Sequence, residues 1–164
     1  MNKIIIILVG FLCFICISLS SQNKVELLNK GNEFYQSEDY NRAEYFYKQA
    51  LKKDMSYYKG NLNTGHSLFK QAIPLIQNQD SLGLKKLNDA EQFYKNSINL
   101  SKNKNDKSES YYNTGNAQLL SGKIEESIES YKESLRLSPE DMQTKHNLAL
   151  AQSLLQQQQQ QQQQ

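Results

Sequence analysis

Asparagine recurs where its side chain could do chemistry, at matching positions of four helical patterns. These are Asn29, Asn63, Asn113 and Asn147, and three residues further on stand Asn32, His66 and Asn116. An asparagine amide carries both donors and an acceptor, so a row of them can pair with the main chain of an extended peptide whatever its sequence. Alternatively, such asparagines are solvated or bond to one another between neighbouring helices. The sequence supports both interpretations equally.

The remaining reactive side chains indicate no catalytic, cofactor or metal site. The two histidines, His66 and His146, fall in patterns separated by another repeat, and a metal ion needs further ligands close by. No nucleophile, phosphate-loop or paired-carboxylate motif is present. With 19 basic and 17 acidic residues the charge is nearly balanced, which argues against nucleic acid as a partner. We expect neither an enzyme nor a small-molecule substrate.

The element that positions these side chains is clearest in residues 108–141, where two amphipathic helical patterns are joined by a tight turn. Its 34 residues carry an aromatic, a glycine, a small residue, an aromatic and a proline at fixed places: Tyr111, Gly115, Ser127, Tyr131 and Pro139. Small residues let two antiparallel helices approach closely, and Tyr131 can fill the space beside the crossing.

This pattern resembles the tetratricopeptide repeat. Residues 24–57 repeat it with Gly31, Ala43 and Tyr47, and residues 58–104 repeat it with Gly65, Ala90 and Tyr94. The second repeat holds 13 extra residues within 71–84, which we expect to lengthen both of its helices, with Asp80 or Ser81 capping the second. Residues 101–107 are expected to be a polar linker.

The end of the chain predicts one more helix. Ser138 and Pro139 are typical of a helix start, and residues 142–155 match the first helix of a further repeat without a second one. We expect this helix to cap the last repeat. Nine glutamines follow, at 156–164, and cannot form a core, so they either continue the capping helix or begin a low-complexity tail.

The resemblance implies an all-α solenoid of three helix pairs plus a capping helix, with a concave groove lined by the first helix of each pair. Partner proteins or peptides would lie in that groove, against Asn29, Asn32, Tyr35, Asn63, His66, Phe69, Tyr112, Asn113, Asn116, His146 and Asn147. In the carboxylate-clamp class of these domains, lysines and an arginine work beside such asparagines. The corresponding positions here are Leu28, Glu109 and Asn113, which puts binding of a peptide C-terminus in doubt.

The start of the chain predicts export. Lys3 precedes the apolar run 4–19, and small residues at 18, 20 and 21 are typical of a signal-peptidase site, so residues 1–21 are predicted to be removed after Ser20 or Ser21. Retention of this segment as an N-terminal anchor is the alternative. Both cysteines, Cys13 and Cys16, fall within it.

Residues 108–160 further resemble the tetratricopeptide component of the bacterial aerotolerance (Bat) operon, through a Tyr-Asn-Thr-Gly-Asn stretch and an Asn-Leu-Ala-Leu-Ala helix that leads into glutamines. This implies an adaptor, periplasmic or bound to the periplasmic side of the membrane, that holds together proteins of the same operon, including membrane-anchored ones. A periplasmic chaperone or assembly factor that holds client peptides is the alternative.

Overall fold

Seven helices follow one another in the computed structural model, which describes residues 23–162. They are α1 (described over 23–36), α2 (Tyr40–Lys53), α3 (Tyr58–Gln77), α4 (Ser81–Leu100), α5 (Lys104–Leu120), α6 (Ile124–Leu137) and α7 (Met142–Gln162). Each helix packs against the next, as antiparallel pairs α1–α2, α3–α4 and α5–α6, and α7 packs on α6. The predicted all-α fold of three pairs and a final helix is confirmed. The leader expectation concerns residues that lie outside the described part of the chain.

The core is divided into three clusters along the stack. Leu28, Ala43 and Tyr47 join α1 to α2, while Leu62, Leu68, Ala90 and Tyr94 join α3 to α4 with Ala117 from α5. Ile128 and Tyr131 of α6 pack with Ala151 of α7. Because each cluster takes its members from adjacent helices, the chain is held together by contacts between neighbours, as in other repeat proteins.

The three helix crossings depend on glycine, as the sequence predicts. Gly31, Gly65 and Gly115 each lie against the ring of the buried tyrosine of the same pair. A Cβ atom added at Gly65 or Gly115 would lie 2.6 Å from the ring of Tyr94 or Tyr131, which is closer than real side chains approach. The tyrosine therefore fills a space that only glycine leaves open.

The turn inside each pair has the same backbone form. Glu38, Gln79 and Gly122 have φ values of 61°, 57° and 81°, in the left-handed region that glycine tolerates best. In each case the amide of the following residue donates to the carbonyl five residues earlier, as in the helix-ending turn that a left-handed residue allows. The first two turns adopt this form without glycine.

The extra residues of the second repeat lengthen both helices. α3 and α4 contain 20 residues each, compared with 14 in α2 and in α6, and Pro74 lies inside α3. The Asp80 carboxylate caps α4 by accepting from the amide of Leu82 at 2.9 Å. The expected lengthening and the Asp80 cap are confirmed.

One expected boundary and one expected capping residue are wrong. The linker is shorter than 101–107, because Asn103 accepts from the Asp106 amide at 2.8 Å and starts α5 at Lys104. Ser138 does not cap the final helix, since Asp141 accepts from the Gln143 amide at 2.9 Å and the helix begins at Met142. Of the two alternatives for the glutamines, the structure has the continued helix: α7 runs to Gln162, since glutamine forms helix readily even where, as at 156–162, every side chain is exposed.

Within the described residues, none of the helices has both the length and the apolar character that crossing a membrane requires.

Candidate partner-binding groove

Hydrogen bonds between asparagine side chains join the first helices of repeats one and two. The Asn32 side-chain oxygen accepts from the Tyr47 hydroxyl at 2.8 Å and from the Asn63 amide nitrogen at 3.0 Å. Tyr47 comes from α2, so three helices meet at one acceptor. Burial raises the pKa of Tyr47 to about 12, which keeps its hydroxyl protonated as a donor.

The same arrangement recurs at the other end of the stack. The Asn116 oxygen accepts from the Tyr131 hydroxyl at 2.8 Å and from the Asn147 amide nitrogen at 2.9 Å. The Asn147 amide also lies 3.4 Å from the Tyr112 hydroxyl. We call each such set, an asparagine that accepts from a tyrosine and from the next repeat's asparagine, an asparagine bridge. At these two junctions the asparagines connect neighbouring helices.

The middle junction, between α3 and α5, has no such bridge because histidine replaces the accepting asparagine. The His66 ring lies on that of Tyr94, with 5.5 Å between centroids. Burial, followed by repulsion from Lys70, lowers the pKa of His66 to about 4, so the ring is neutral at pH 7. The Asn113 amide instead donates to the Glu109 carbonyl of its own helix at 2.9 Å.

The other predicted groove residues have mixed environments. Asn29 and His146 are exposed, Phe69 packs on the middle core cluster, and the Tyr35 ring lies 5.2 Å from that of Tyr40 and 6.4 Å from that of His66. Leu28 belongs to the core of the first pair. The structure thus brings together two sets, Asn32 with Asn63 and Asn116 with Asn147, and leaves Asn29 and His146 apart from them.

An open pocket of about 390 Å³ lies beside the middle junction. It is bordered by His66 of α3, by Glu109, Tyr112 and Asn113 of α5, and by Gln143 of α7. Asn105, Ser108, Ser138 and Asp141 complete its lining. The first helices of three successive units therefore share one concave surface there, and polar groups of Asn113 and Gln143 lie at it.

Glu109 is the pocket's uncompensated charge. Partial removal of water from its carboxyl, together with the nearby charge of Asp106, raises the pKa of Glu109. None of the salt bridges within residues 23–162 involves Glu109. Asp141, by contrast, is already engaged as the α7 cap, where its carboxylate also accepts from the Thr144 hydroxyl at 2.7 Å.

Polar networks that were not predicted from the sequence join the first repeat to the second and the second to the third, on the second-helix side. Glu91 of α4 is 3% exposed, and its carboxylate accepts from Gln118 at 2.9 Å and from Lys123 at 2.8 Å. Lys95 also contacts it, at 2.6 Å. Burial alone would raise the pKa of Glu91, but these donors outweigh it and hold the pKa below its usual range.

Glu44 of α2 has an equivalent network with Gln71, at 2.8 Å, and with Lys48, at 2.6 Å. In both networks the glutamine follows its glutamate by 27 residues. An Ala-Glu pair in the second helix, repeated at 43–44 and 90–91, is the signal from which they could have been predicted.

Within residues 23–162 no cluster of three or more histidine, aspartate, glutamate or cysteine side chains is suited to hold a metal ion.

Residues 108–141 match the family model described as the tetratricopeptide repeat, over the same stretch in which the sequence pattern is clearest. A comparison of the sequence with curated proteins finds no match.

Solved tetratricopeptide domains share the fold. The first such domain of Spaghetti (RPAP3), bound to the HSP90 peptide SRMEEVD, superposes with a TM-score of 0.69 at 23% identity, over 82% of this chain and 94% of that one. The second domain of human RPAP3, in complex with the HSP70 peptide SGPTIEEVD, gives 0.69 at 20% identity, over 81% and 98%. The Arabidopsis OM64 domain gives 0.69 at 19% identity, over 82% and 98%. The chain therefore contains a tetratricopeptide repeat at residues 108–141 and has the fold of tetratricopeptide-repeat domains.

Proposed function

We propose that this protein is a non-enzymatic scaffold that holds an extended segment of a partner protein in the groove formed by α3, α5 and α7. The observation that carries the proposal is the open pocket at the middle junction, where no asparagine bridge uses the polar groups. At the first and third junctions the oxygens of Asn32 and Asn116 already accept two hydrogen bonds each, and the amide nitrogens of Asn63 and Asn147 are the donors of one bond in each pair. Asn113 makes only a bond within its own helix, so its oxygen is available to a partner.

The side chains around this pocket suit a peptide backbone. Asn113 and Gln143 offer amide groups, and Tyr112 offers a half-buried aromatic surface. An extended segment exposes alternating N–H and C=O groups, which such amides can pair with. The similarity to domains solved with bound peptides supports the same use of the concave face.

For the cellular setting, we propose an exported adaptor of the aerotolerance-operon type, with partners among the envelope proteins encoded beside it. The support is in the sequence: the basic residue and apolar run of the first 21 residues, and the C-terminal third with its glutamines. Intact mass of the envelope-associated protein tests the export step. Recovery of Met1 in that material would contradict cleavage.

The groove is tested by capture from an envelope fraction with wild type and with Asn113→Phe, which fills the pocket. This variant loses only a bond to its own helix, so we expect it to melt like wild type while capturing much less partner. Glu125→Phe, on the exposed surface of α6, is the matched control and should capture normally. Equal capture by wild type and Asn113→Phe would contradict the groove as the binding surface. One stoichiometric partner indicates an adaptor, whereas many unrelated clients indicate a chaperone.

A further inference from the structure

We infer that the partner segment places a cationic side chain, lysine or arginine, against Glu109 in the pocket between α3, α5 and α7. The inference rests on the proposed function, because it specifies the chemistry of the segment that the groove would hold.

The charged side chains that line the pocket are of one sign. Its lining includes Glu109 and Asp141 and contains no lysine or arginine. Lys59 and Lys70 of α3 are exposed and do not line it. His66 does line it, but its ring is neutral at pH 7 because burial lowers its pKa to about 4. The lining therefore offers a ligand negative charge, and the positive charge that acts on it, that of Lys70, comes from outside the lining.

Glu109 differs from the other groove-side and junction carboxylates. Glu44 and Glu91 are each paired with lysine, and Asp141 is occupied by the amides and hydroxyl at the start of α7. Glu109 has no ion-pair partner among the salt bridges of residues 23–162, and its side chain is exposed at the pocket and lies near Asp106. A cation there would offset the repulsion between the carboxylates of Glu109 and Asp106.

The neighbours of Glu109 suit a long basic side chain. Tyr112 lies one turn along α5, on the pocket wall, and the face of a tyrosine ring attracts a cation. The Asn113 oxygen is a further acceptor for an ammonium or guanidinium group. A pocket of about 390 Å³ has room for such a side chain with its backbone.

The same charges disfavour acidic segments. The peptides in the similar solved structures, SRMEEVD and SGPTIEEVD, are acidic toward their ends. An acidic side chain or a terminal carboxylate against Glu109 would place like charges together, which costs free energy. We therefore expect this protein to bind neither peptide.

The test uses three immobilised libraries of random twelve-residue peptides whose central residue is fixed as lysine, glutamine or glutamate. Retention of the full chain is measured at low and at high salt. Wild type is expected to prefer the lysine library over the glutamate library by roughly tenfold, as for a charge-assisted hydrogen bond, and to lose this preference at high salt. Glu109→Gln should abolish the preference and Glu109→Lys should reverse it. Glu125→Gln, the same charge change on exposed α6, should leave it intact.

The outcomes separate failure of the cationic-partner inference from failure of the proposed groove binding. Equal retention on all three libraries, each reduced by Asn113→Phe, would overturn the cationic partner and leave groove binding standing. Preference of wild type for the glutamate library would overturn it too. Retention on none of the libraries overturns the inference, and capture from the envelope fraction then decides the proposed function separately.

Discussion

Replacing Asn116 by alanine removes the acceptor at the centre of the second asparagine bridge. The Tyr131 hydroxyl, 2.8 Å away, and the Asn147 amide, 2.9 Å away, both lose their partner. Tyr131 is fully buried, so its hydroxyl has limited access to water as a substitute. We expect the variant to be clearly destabilised while its helices remain formed.

The magnitude follows from the two bonds. A hydrogen bond contributes about 0.5–1.5 kcal/mol net, so their loss costs about 1–3 kcal/mol in the free energy of unfolding. The buried hydroxyl places the expected value in the upper half of that range, because an orphaned donor keeps its full desolvation cost. For a domain of this size, this corresponds to a fall in Tm of roughly 4–12 °C.

Urea unfolding of a double-mutant cycle measures the effect. Tyr131→Phe removes the hydroxyl donor that Asn116→Ala leaves without an acceptor. Asn116→Ala should therefore cost less free energy of unfolding in the Tyr131→Phe background than in wild type. Asn113→Ala is the matched control, since its amide bonds only within α5, and it should cost less than about 0.5 kcal/mol. If Asn116→Ala costs no more than Asn113→Ala, the bridge does not hold the repeats together and the reasoning is refuted.

Three further changes test the fold. Gly115→Leu should lower Tm by overpacking against the Tyr131 ring, at a cost of about 1–3 kcal/mol or more in the free energy of unfolding. Glu129→Leu, on the exposed face of α6, should be nearly neutral. Similar melting curves for the two variants would contradict the close helix crossing at Gly115. Gln79→Gly should stabilise by about 0.5–1 kcal/mol in urea unfolding, because it relieves a left-handed residue; a loss of stability would contradict this. The pKa values of Glu44 and Glu91 are lowered, so the stability that these carboxylates contribute is present above the ordinary value of 4.5 and is lost as pH falls through the folded-state pKa. Between pH 7 and 3, the free energy of unfolding should therefore fall more steeply in wild type than in Glu91→Gln.

The helix pairs could be predicted from the sequence because their determinants are local. Gly115 and Tyr131 stand at a fixed spacing, and the amphipathic pattern around them allows few other arrangements. The lengthening of α3 and α4 was predictable for the same reason, since a helical pattern on both sides of Asp80 leaves only a short turn between them. Boundaries were less predictable: at the start of α7 two capping residues, Ser138 and Asp141, compete, and only the bonds that form decide between them.

The groove was less predictable because the partners of an asparagine amide are set by tertiary structure. Asn63 and Asn113 occupy the same place in the repeat pattern, yet one bonds across to Asn32 and the other to its own helix. The difference arises in the preceding repeat. Asn32 accepts from Asn63, whereas the residue at the corresponding place before Asn113 is His66. The buried glutamate networks were missed because a glutamate in an amphipathic helix is usually solvated, and Glu91 is buried only because the next repeat covers it.

The absence of an asparagine bridge at the middle junction affects how the stack can bend. On the second-helix side, α4 is tied to the following repeat by Glu91 with Lys123 and by a hydroxyl pair, Ser97 and Ser110, 3.0 Å apart. On the first-helix side, His66 and Asn113 make no corresponding connection. A rotation pivoting on the tied side would change the separation of α3 and α5 without breaking a side-chain bond between His66 and Asn113. The width of the groove would then change at the middle junction, where the distance between α3 and α5 can vary.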